Sequence, residues 1–450
     1  MMEIKKFGRV LALGAVLGSL AGCDNLLEVS DPSAFTDSDL DQALTAVAVG
    51  VEGELHANVD NIIIGNAILS DVWQHTGTWS GYDDMDHGRT EWERNSNSGS
   101  GLLRVRFAAQ DATARFDRLV GEGATVAPEL RAQVLVSEGW ADLIMAGSQC
   151  EQPAGQQTAA ISDIQLYGQA RDKLAAALTG ASGDFALWAQ AGIARAELML
   201  GNYGAATAAA GAVLAAAPAG WEKLALYQTG TLTSSIVTLD TWGFNHAAGM
   251  REKWWPFVDD AELKMRDPLT GELDSRVPIR HEAGVLGVDG TTEFYSQWKY
   301  TGFDDDVPIT HLGEMRLIQA EAARETGDPA GALAMLNSLR NTAGLLDAPA
   351  SMFANPAAPT RNEVFDVLLN ERFAELFMEG HRLQDLHRFG LTAGFMAGTG
   401  PGRVGFLAGV GDFAGTESVR PTKFPMSISE ALNNPNIEES ASARCLPLSG

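Results

Sequence analysis

Helical periodicity runs almost unbroken from about Asp39 to Pro218, and it restricts the fold more than any other feature of the sequence. Candidate helices fall at 38–57, 60–73, 100–121, 127–147, 163–180, 185–200 and 204–217, and the short gaps between them make antiparallel neighbours. Within this run Trp188, Ala194, Gly201, Tyr203, Ala206, Ala210, Val213 and Pro218 follow a fixed spacing. Small residues stand where two helices cross closely, Gly-Asn-Tyr forms the turn, and proline marks the way out.

That spacing is the pattern of a tetratricopeptide repeat. A second unit begins more than a hundred residues later: Glu314–Arg324 is its first helix, Gly327-Asp328-Pro329 its turn, and Ala332, Leu336 and Leu339 line its second helix. Stacked helix pairs bury their apolar faces only against one another. The predicted fold is therefore mainly all-α, with tetratricopeptide-like pairs forming a right-handed superhelical scaffold over about 38–220 and 311–390. A loop-rich insertion, about 221–310, separates the two runs and is rich in Gly, Thr, Asp and aromatics. From about 391 to 450, beginning near Gly-Thr-Gly-Pro-Gly at 398–402, turn residues outnumber helix signals and a loop-rich tail is expected.

The N-terminus sets the compartment. Lys5, Lys6 and Arg9 precede an apolar stretch from Val10 to Gly22, which reads as a signal peptide over 1–22. It is short of the roughly 20 apolar residues a bilayer-spanning helix needs. Leu20-Ala21-Gly22-Cys23 resembles the lipobox of bacterial lipoproteins, which makes Cys23 the lipidation site and 23–37 a tether. Each buried methylene of such an anchor contributes about 0.8 kcal/mol. Asp24 fits inner-membrane retention under one sorting rule and surface export under another. With Cys23 acylated, Cys150 and Cys445 remain in an oxidising compartment, where they either pair or stay as buried thiols. Pairing closes a loop of nearly three hundred residues, worth about 5 kcal/mol in the chain-entropy model. A formal net charge of −26 argues against nucleic acid and anionic lipid headgroups as partners.

Residues 362–390 carry the densest pattern. Val364, Phe365, Leu368, Leu369, Phe373, Leu376 and Phe377 form one apolar helical face, and Gly380 is suited to the left-handed conformation that ends a helix. Glu371, Arg372 and Glu375 on this helix face Arg382, Asp385 and Arg388 on the next, and a salt-bridged corner between the two is expected. Arginines within a turn or two lower a carboxylate pKa, which makes these acids poor proton donors at neutral pH. His381 and His387 are six apart, not at a helical metal-ligand spacing, so neither a metal nor a cofactor is predicted. Asp304-Asp305-Asp306 lacks the alternation of a calcium loop and reads as a solvated turn.

At this point the sequence resembles the SusD/RagB group of nutrient-uptake lipoproteins. Four segments carry the resemblance: the lipobox followed by Leu27-Glu28-Val29-Ser30-Asp31-Pro32; the Pro308–Ala323 stretch; the Glu371-Arg372 to Asp385-Leu386 block with its Glu379-Gly380-His381-Arg382 corner; and Phe424-Pro425 to Asn434-Pro435-Asn436. The resemblance implies an outer-membrane lipoprotein, lipid-anchored and surface-exposed, that sits over a SusC-like TonB-dependent transporter. It implies capture of an oligosaccharide or peptide with no chemistry on it.

Flat rings that stack on sugar faces, with amides and charged groups nearby, are what glycan binding without catalysis requires. Two groups qualify. Trp73, Trp79, Tyr82 and Trp92 share a polar loop with Asp83, Asp84, His87 and Arg89, and Trp242, Trp254, Trp255, Tyr295 and Trp298 lie in the insertion. The ligand-binding candidates are Trp73, Trp79, Tyr82, Trp242 and Trp298, with Trp79 and Tyr82 foremost because Gly77, Ser80 and Gly81 read as exposed turn. A buried tryptophan in the core is the competing reading for each. Two rival functions are a glycoside hydrolase, which needs a carboxylate pair that no sequence feature singles out, and a helical-repeat docking scaffold without a small ligand.

Overall fold

The computed structural model describes residues 36–88, 90, 100–241, 245–389 and 423–437. The described chain up to Val47 contains helix α1 (Asp37–Gln42), opened by a reciprocal cap. Thr36 Oγ1 accepts from the Asp39 N–H, and the Asp39 carboxylate accepts from the Thr36 N–H.

Helix α2 (Leu44–Leu69) is continuous where the sequence suggested a break near residue 58. The polar residues that imitate a boundary are satisfied instead. Asn58 Nδ2 bonds back to the Glu54 carbonyl at 2.7 Å, and the buried Asp60 carboxylate accepts from the Ser235 N–H at 2.6 Å. From Ile62 to Leu69 every side chain is buried, so this half of the helix is core on all sides. Strand β1 (Trp73–His75) and the short helix α3 (Ser80–Asp86) follow.

The scaffold continues with α4 (Ser100–Gly121), α5 (Pro128–Ser148), the hairpin β2–β3 (Glu151–Pro153, Ala160–Ser162), α6 (Asp163–Ala177), α7 (Gly183–Met199) and α8 (Tyr203–Ala216). These match the expected helices closely because caps and breakers are local: Pro128 takes the first position of α5, and Ser162 with Gln165 forms the capping box of α6. Glycine fixes how closely α5, α6 and α7 pack. Leu174 of α6 fits between Gly139 and Gly192, where an added Cβ would come within 2.7 Å of it on either side. Trp140 stacks on Trp188 with centroids 6.1 Å apart and donates its indole N–H to the Trp188 carbonyl at 3.1 Å.

Strand β4 (Glu222–Ala225) opens the insertion. Inside it lie α9 (Ser235–Leu239), β5 (Asp240–Thr241), β6 (Asn245–His246), β7 (Ala248–Met250) and a 3₁₀ turn, Glu252–Phe257. A four-stranded antiparallel sheet follows, formed by β8 (Val258–Asp259), β9 (Lys264–Arg266), β10 (Leu273–Leu286) and β11 (Glu293–Gln297) in the order β11-β10-β9-β8. Strand β12 (Val307–His311) closes the insertion by pairing with β4, Val307 opposite Ala225, so the chain leaves and rejoins the scaffold at one ribbon. The strands escaped sequence reading because β10 buries only scattered positions, such as Val277 and Ile279, between charged ones.

Helices α10 (Leu312–Glu325), α11 (Pro329–Thr342), α12 (Arg361–Glu375), α13 (Arg382–Arg388) and α14 (Ile428–Asn433) complete the described chain. Helix α10 packs on α11 and α12, and also on α8. The two repeat units, distant in sequence, are therefore consecutive in space, and the fold is a mainly helical scaffold of tetratricopeptide-like pairs. Gly201 and Gly327, the turn glycines of the two units, both have left-handed backbone, with φ of 74° and 94°.

Candidate functional site

The loop that carries Trp79 is fixed on both sides. Thr76 donates its hydroxyl to the His246 carbonyl at 2.7 Å, and its N–H to the Ala247 carbonyl at 2.9 Å. Gly77 passes so close to Ala247 that a Cβ there would lie 3.0–3.2 Å from it, so this glycine is a packing contact and not the open turn expected. Trp79 caps α3, and its ring is tilted against Tyr82 with centroids 5.7 Å apart. Asp86 at the far end of α3 pairs with Arg251, whose guanidinium also donates to the Trp73 carbonyl at 2.8 Å. Met85 packs on Leu69, Leu383 and Phe424. The two rings thus stand on a mount tied to the insertion and the core. Trp79 is 48% exposed, and Tyr82 is half-buried.

The other aromatic candidates divide. Trp73 is fully buried beneath this mount as part of β1, so its ring is core and not a platform. Trp254 is likewise buried, stacked on Phe373 at 4.2 Å and donating to the Asp71 carbonyl at 2.7 Å. Trp298 is half-buried with the Arg280 guanidinium 4.8 Å from its ring. A stack that sequence reading did not assemble runs Trp255, Tyr295, His281, with centroid separations of 4.5 and 3.9 Å. His281 and Tyr295 face each other across β10 and β11, and only the strand register brings them together. Among the described residues no ring contact joins Trp298 to the Trp79–Tyr82 pair. Arg89, Trp92, Trp242, Cys23 and Cys445 lie outside the described residues. Cys150 is disulfide-bonded.

The charged block is richer than a corner between two helices. Arg372 donates Nε to Asp385 at 2.8 Å, and Arg388 reaches both Asp385, at 3.0 Å, and Glu321. These three residues form the expected corner of α12 and α13. The remaining members bind elsewhere, and this is a correction. Arg382 makes a two-pronged bridge to Asp71, at 2.6 and 2.7 Å, with Lys253 on the same carboxylate. Glu371 accepts from Arg340 at 2.7 Å and Arg276 at 2.8 Å, and Glu375 accepts from Arg276 at 3.1 Å. Helix α12 also ends earlier than Gly380, at Glu375. Gly380 is left-handed, with φ 81°, in the turn before α13, where its carbonyl accepts from Asn66 at 2.9 Å.

Burial and pairing set the acidity of these groups. Burial pushes the Asp385 carboxyl up, but Arg372 and Arg388 overcome it and hold it at about 2. Glu314 behaves alike: burial raises it, and the two-pronged bridge from Arg195 takes it down to about 2. Glu371 departs from the sequence expectation because burial outweighs Arg276 and Arg340 and leaves it raised. It is fully enclosed, so no substrate reaches it. Among the described residues no group of three or more His, Cys, Asp or Glu side chains is arranged to hold a metal ion.

His381 gives this block a pH signature. Burial, then Arg195 at 3.4 Å, lower its imidazole from 6.5 to about 4. The unfolded chain takes up this proton first as pH falls. The stability His381 contributes is therefore complete above pH 6.5 and is lost toward pH 4, about 3 kcal/mol in all. Urea unfolding of the protein should show this decline, and H381N should flatten it by that amount. Parallel profiles for the two proteins contradict the assignment.

Comparison with known proteins adds a second line of observation. The SusD family model matches residues 287–441. A SusD superfamily protein from Bacteroides fragilis NCTC 9343 shares the fold at 14% identity, over 90% of this chain and 99% of its own, with a TM-score of 0.65. A SusD superfamily protein from Parabacteroides distasonis ATCC 8503 aligns over 90% and 99% at 12% identity, with a TM-score of 0.62. A SusD-like carbohydrate binding protein from Bacteroides vulgatus ATCC 8482 aligns over 78% of this chain and 84% of its own at 15% identity, with a TM-score of 0.61. No curated protein matches. The SusD family model thus covers the segment that includes the charged block and the closing Asn434-Pro435-Asn436, and the fold of SusD superfamily structures extends along nearly the whole chain.

Proposed function

We propose that this protein is a surface-exposed outer-membrane lipoprotein, anchored through Cys23, that captures an oligosaccharide or related nutrient and passes it to a SusC-like TonB-dependent transporter. The observation that carries the reading is the Trp79–Tyr82 pair. One large ring is half exposed, braced by a second 5.7 Å away, on a helix that an ion pair fastens to the insertion. A preorganised ring offers stacking area at little cost in side-chain order. Trp298, with its cation partner, is a second platform on this reading, and Trp242 a third.

The role is binding and not catalysis. The buried acids whose pKa is raised, Asp60, Asp142, Asp240 and Glu371, are enclosed, whereas a glycosidase needs two carboxylates open to an aromatic cleft. The likeness in fold to a SusD-like carbohydrate binding protein from Bacteroides vulgatus supports a sugar as the ligand. Among the described residues no helix is long and apolar enough to cross a membrane. Pairing of the disulfide-bonded Cys150 with Cys445 completes the reading, since acylation removes Cys23 from thiol chemistry.

The test is a glycan screen by calorimetry, followed by the W79A/Y82A variant on whatever ligand binds. Affinity should fall about tenfold or more, the loss of at least 1.4 kcal/mol expected when a central aromatic anchor is truncated. Unchanged affinity removes the pair from the site. Co-purification with a barrel transporter tests delivery. Capture of envelope proteins with no glycan affinity favours the docking-scaffold alternative.

A further inference from the structure

A pocket of about 300 Å3 opens between α4, the loop after β2 and the C-terminal helix α14, on elements that do not carry the Trp79–Tyr82 pair. Its volume is at the lower end of small-molecule sites. Leu103, Phe107 and Gln110 line one wall, spaced so that all three fall on one stripe of α4. Phe107 is 57% exposed, a large ring left in water.

The opposite wall is a loop held from three directions. Arg106 donates to the Pro153 carbonyl at 2.6 Å and to the Ala154 carbonyl at 2.5 Å, while pairing with Asp142 at 2.9 Å. Asn434 donates to the Thr158 carbonyl at 3.0 Å, and Asn436 donates to the Gln157 carbonyl. The Gly155 N–H donates to Thr158 Oγ1 at 2.8 Å. The Asn434-Pro435-Asn436 motif therefore serves to clamp this loop. Under that clamp Gln157 adopts a left-handed backbone with φ 48°, a conformation that costs a non-glycine residue on the order of 1 kcal/mol or more. The clamp presents Gln156 and Gln157, two exposed side chains whose carboxamides make no hydrogen bond of their own among the described residues.

The charges around the pocket are already committed. The Arg106 guanidinium is spent on carbonyls and Asp142, and the Glu430 carboxylate accepts from Asn434 at 2.8 Å. What stays available is an apolar ring and two carboxamides, each of which both donates and accepts. A hydroxyl also does both, and the apolar face of a pyranose needs a flat partner. We propose that this pocket is a second binding site, for a neutral saccharide, with Phe107 as the stacking platform and Gln156 and Gln157 as the hydroxyl-reading pair. It stands on its own residues and does not depend on the Trp79 site.

Calorimetry with maltotriose, cellotriose and xylotriose, and with triglycine as a neutral peptide control, tests it in the W79A/Y82A background. At least one trisaccharide should retain a weak isotherm there. Adding F107A should weaken it about tenfold, Q156A/Q157A should weaken it comparably, and F107W should keep it. Phe107, Gln156 and Gln157 are exposed, so these variants fold. Retained affinity in F107A, no trisaccharide isotherm in either background, or triglycine binding with the same dependence on Phe107 overturns the proposal. If W79A/Y82A has no effect while F107A does, the Trp79 site fails and this one stands.

Discussion

Replacing Asp71 with alanine is expected to destabilise the protein by about 3–5 kcal/mol, the range for removing one partner of a buried ion pair. Asp71 is enclosed at the end of the segment that follows α2, and it is the shared counter-charge of two buried cations, Arg382 and Lys253. Those cations come from sequence positions more than a hundred residues apart, so one carboxylate ties the first half of the scaffold to the insertion and to the second half. The two cations respond differently to its loss. Burial already takes the Lys253 ammonium down to about 7, so without Asp71 it sheds its proton and escapes part of the penalty. Arg382 has no such escape because guanidinium stays protonated in proteins. The cost therefore falls mainly on Arg382, and R382M in the D71A background should restore part of the lost stability. Denaturant unfolding of the single and double variants decides this. A loss below about 1 kcal/mol for D71A, typical of exposed pairs, shows that the triad is not an anchor.

Arg340→Met is expected to cost a similar amount, about 3–5 kcal/mol at neutral pH. Arg340 is fully buried, donating to Glu371 at 2.7 Å, Asp267 at 2.6 Å and the Leu346 carbonyl at 2.8 Å. The cluster around it holds Asp267, Asp274, Glu371 and Glu375 against Arg340 and Arg276, so acids outnumber bases. Loss of Arg340 leaves two buried carboxylates under-compensated and raises their pKa. The penalty then shrinks as pH falls, since protonated acids no longer need the arginine. Removing a surplus acid acts in the opposite sense, and E371Q should cost much less than R340M. Unfolding free energies at pH 7 and pH 5 test both statements. A penalty for R340M that stays constant across that range, or a larger loss in E371Q, contradicts the account.

The helical scaffold was legible because its signals are local. Pro128, the Ser162–Gln165 cap and the left-handed turn glycines Gly201 and Gly327 each act within four residues, and the expected helices 127–147 and 163–180 agree with α5 and α6 to within three residues at either end. Where a polar residue imitated a helix end, at Asn58 and Asp60, the reading failed because its partners, such as Ser235, are remote in sequence. The sheet of the insertion was missed for a related reason: β10 is half-exposed, and its alternation is interrupted by register shifts that only pairing with β9 and β11 defines.

The candidate site shows the same division. Trp79 and Tyr82 are three residues apart, and one turn of helix suffices to bring their rings together. Trp73 lies six residues away in the same loop, and nothing local indicates that β7 would cover it. Arg372, Asp385 and Arg388 met as their helical spacing suggested, whereas Glu371 and Arg382 turned to Arg340, Arg276 and Asp71.

From the amino acids by themselves come the helices, their caps, the two repeat units and the likeness to a family, because those depend on spacings within a turn or two. Which ring is buried, which acid meets which arginine, and which loop the closing asparagines hold depend on contacts between residues tens to hundreds of positions apart. Such contacts form only when the helix pairs stack and the insertion folds back along β4 and β12.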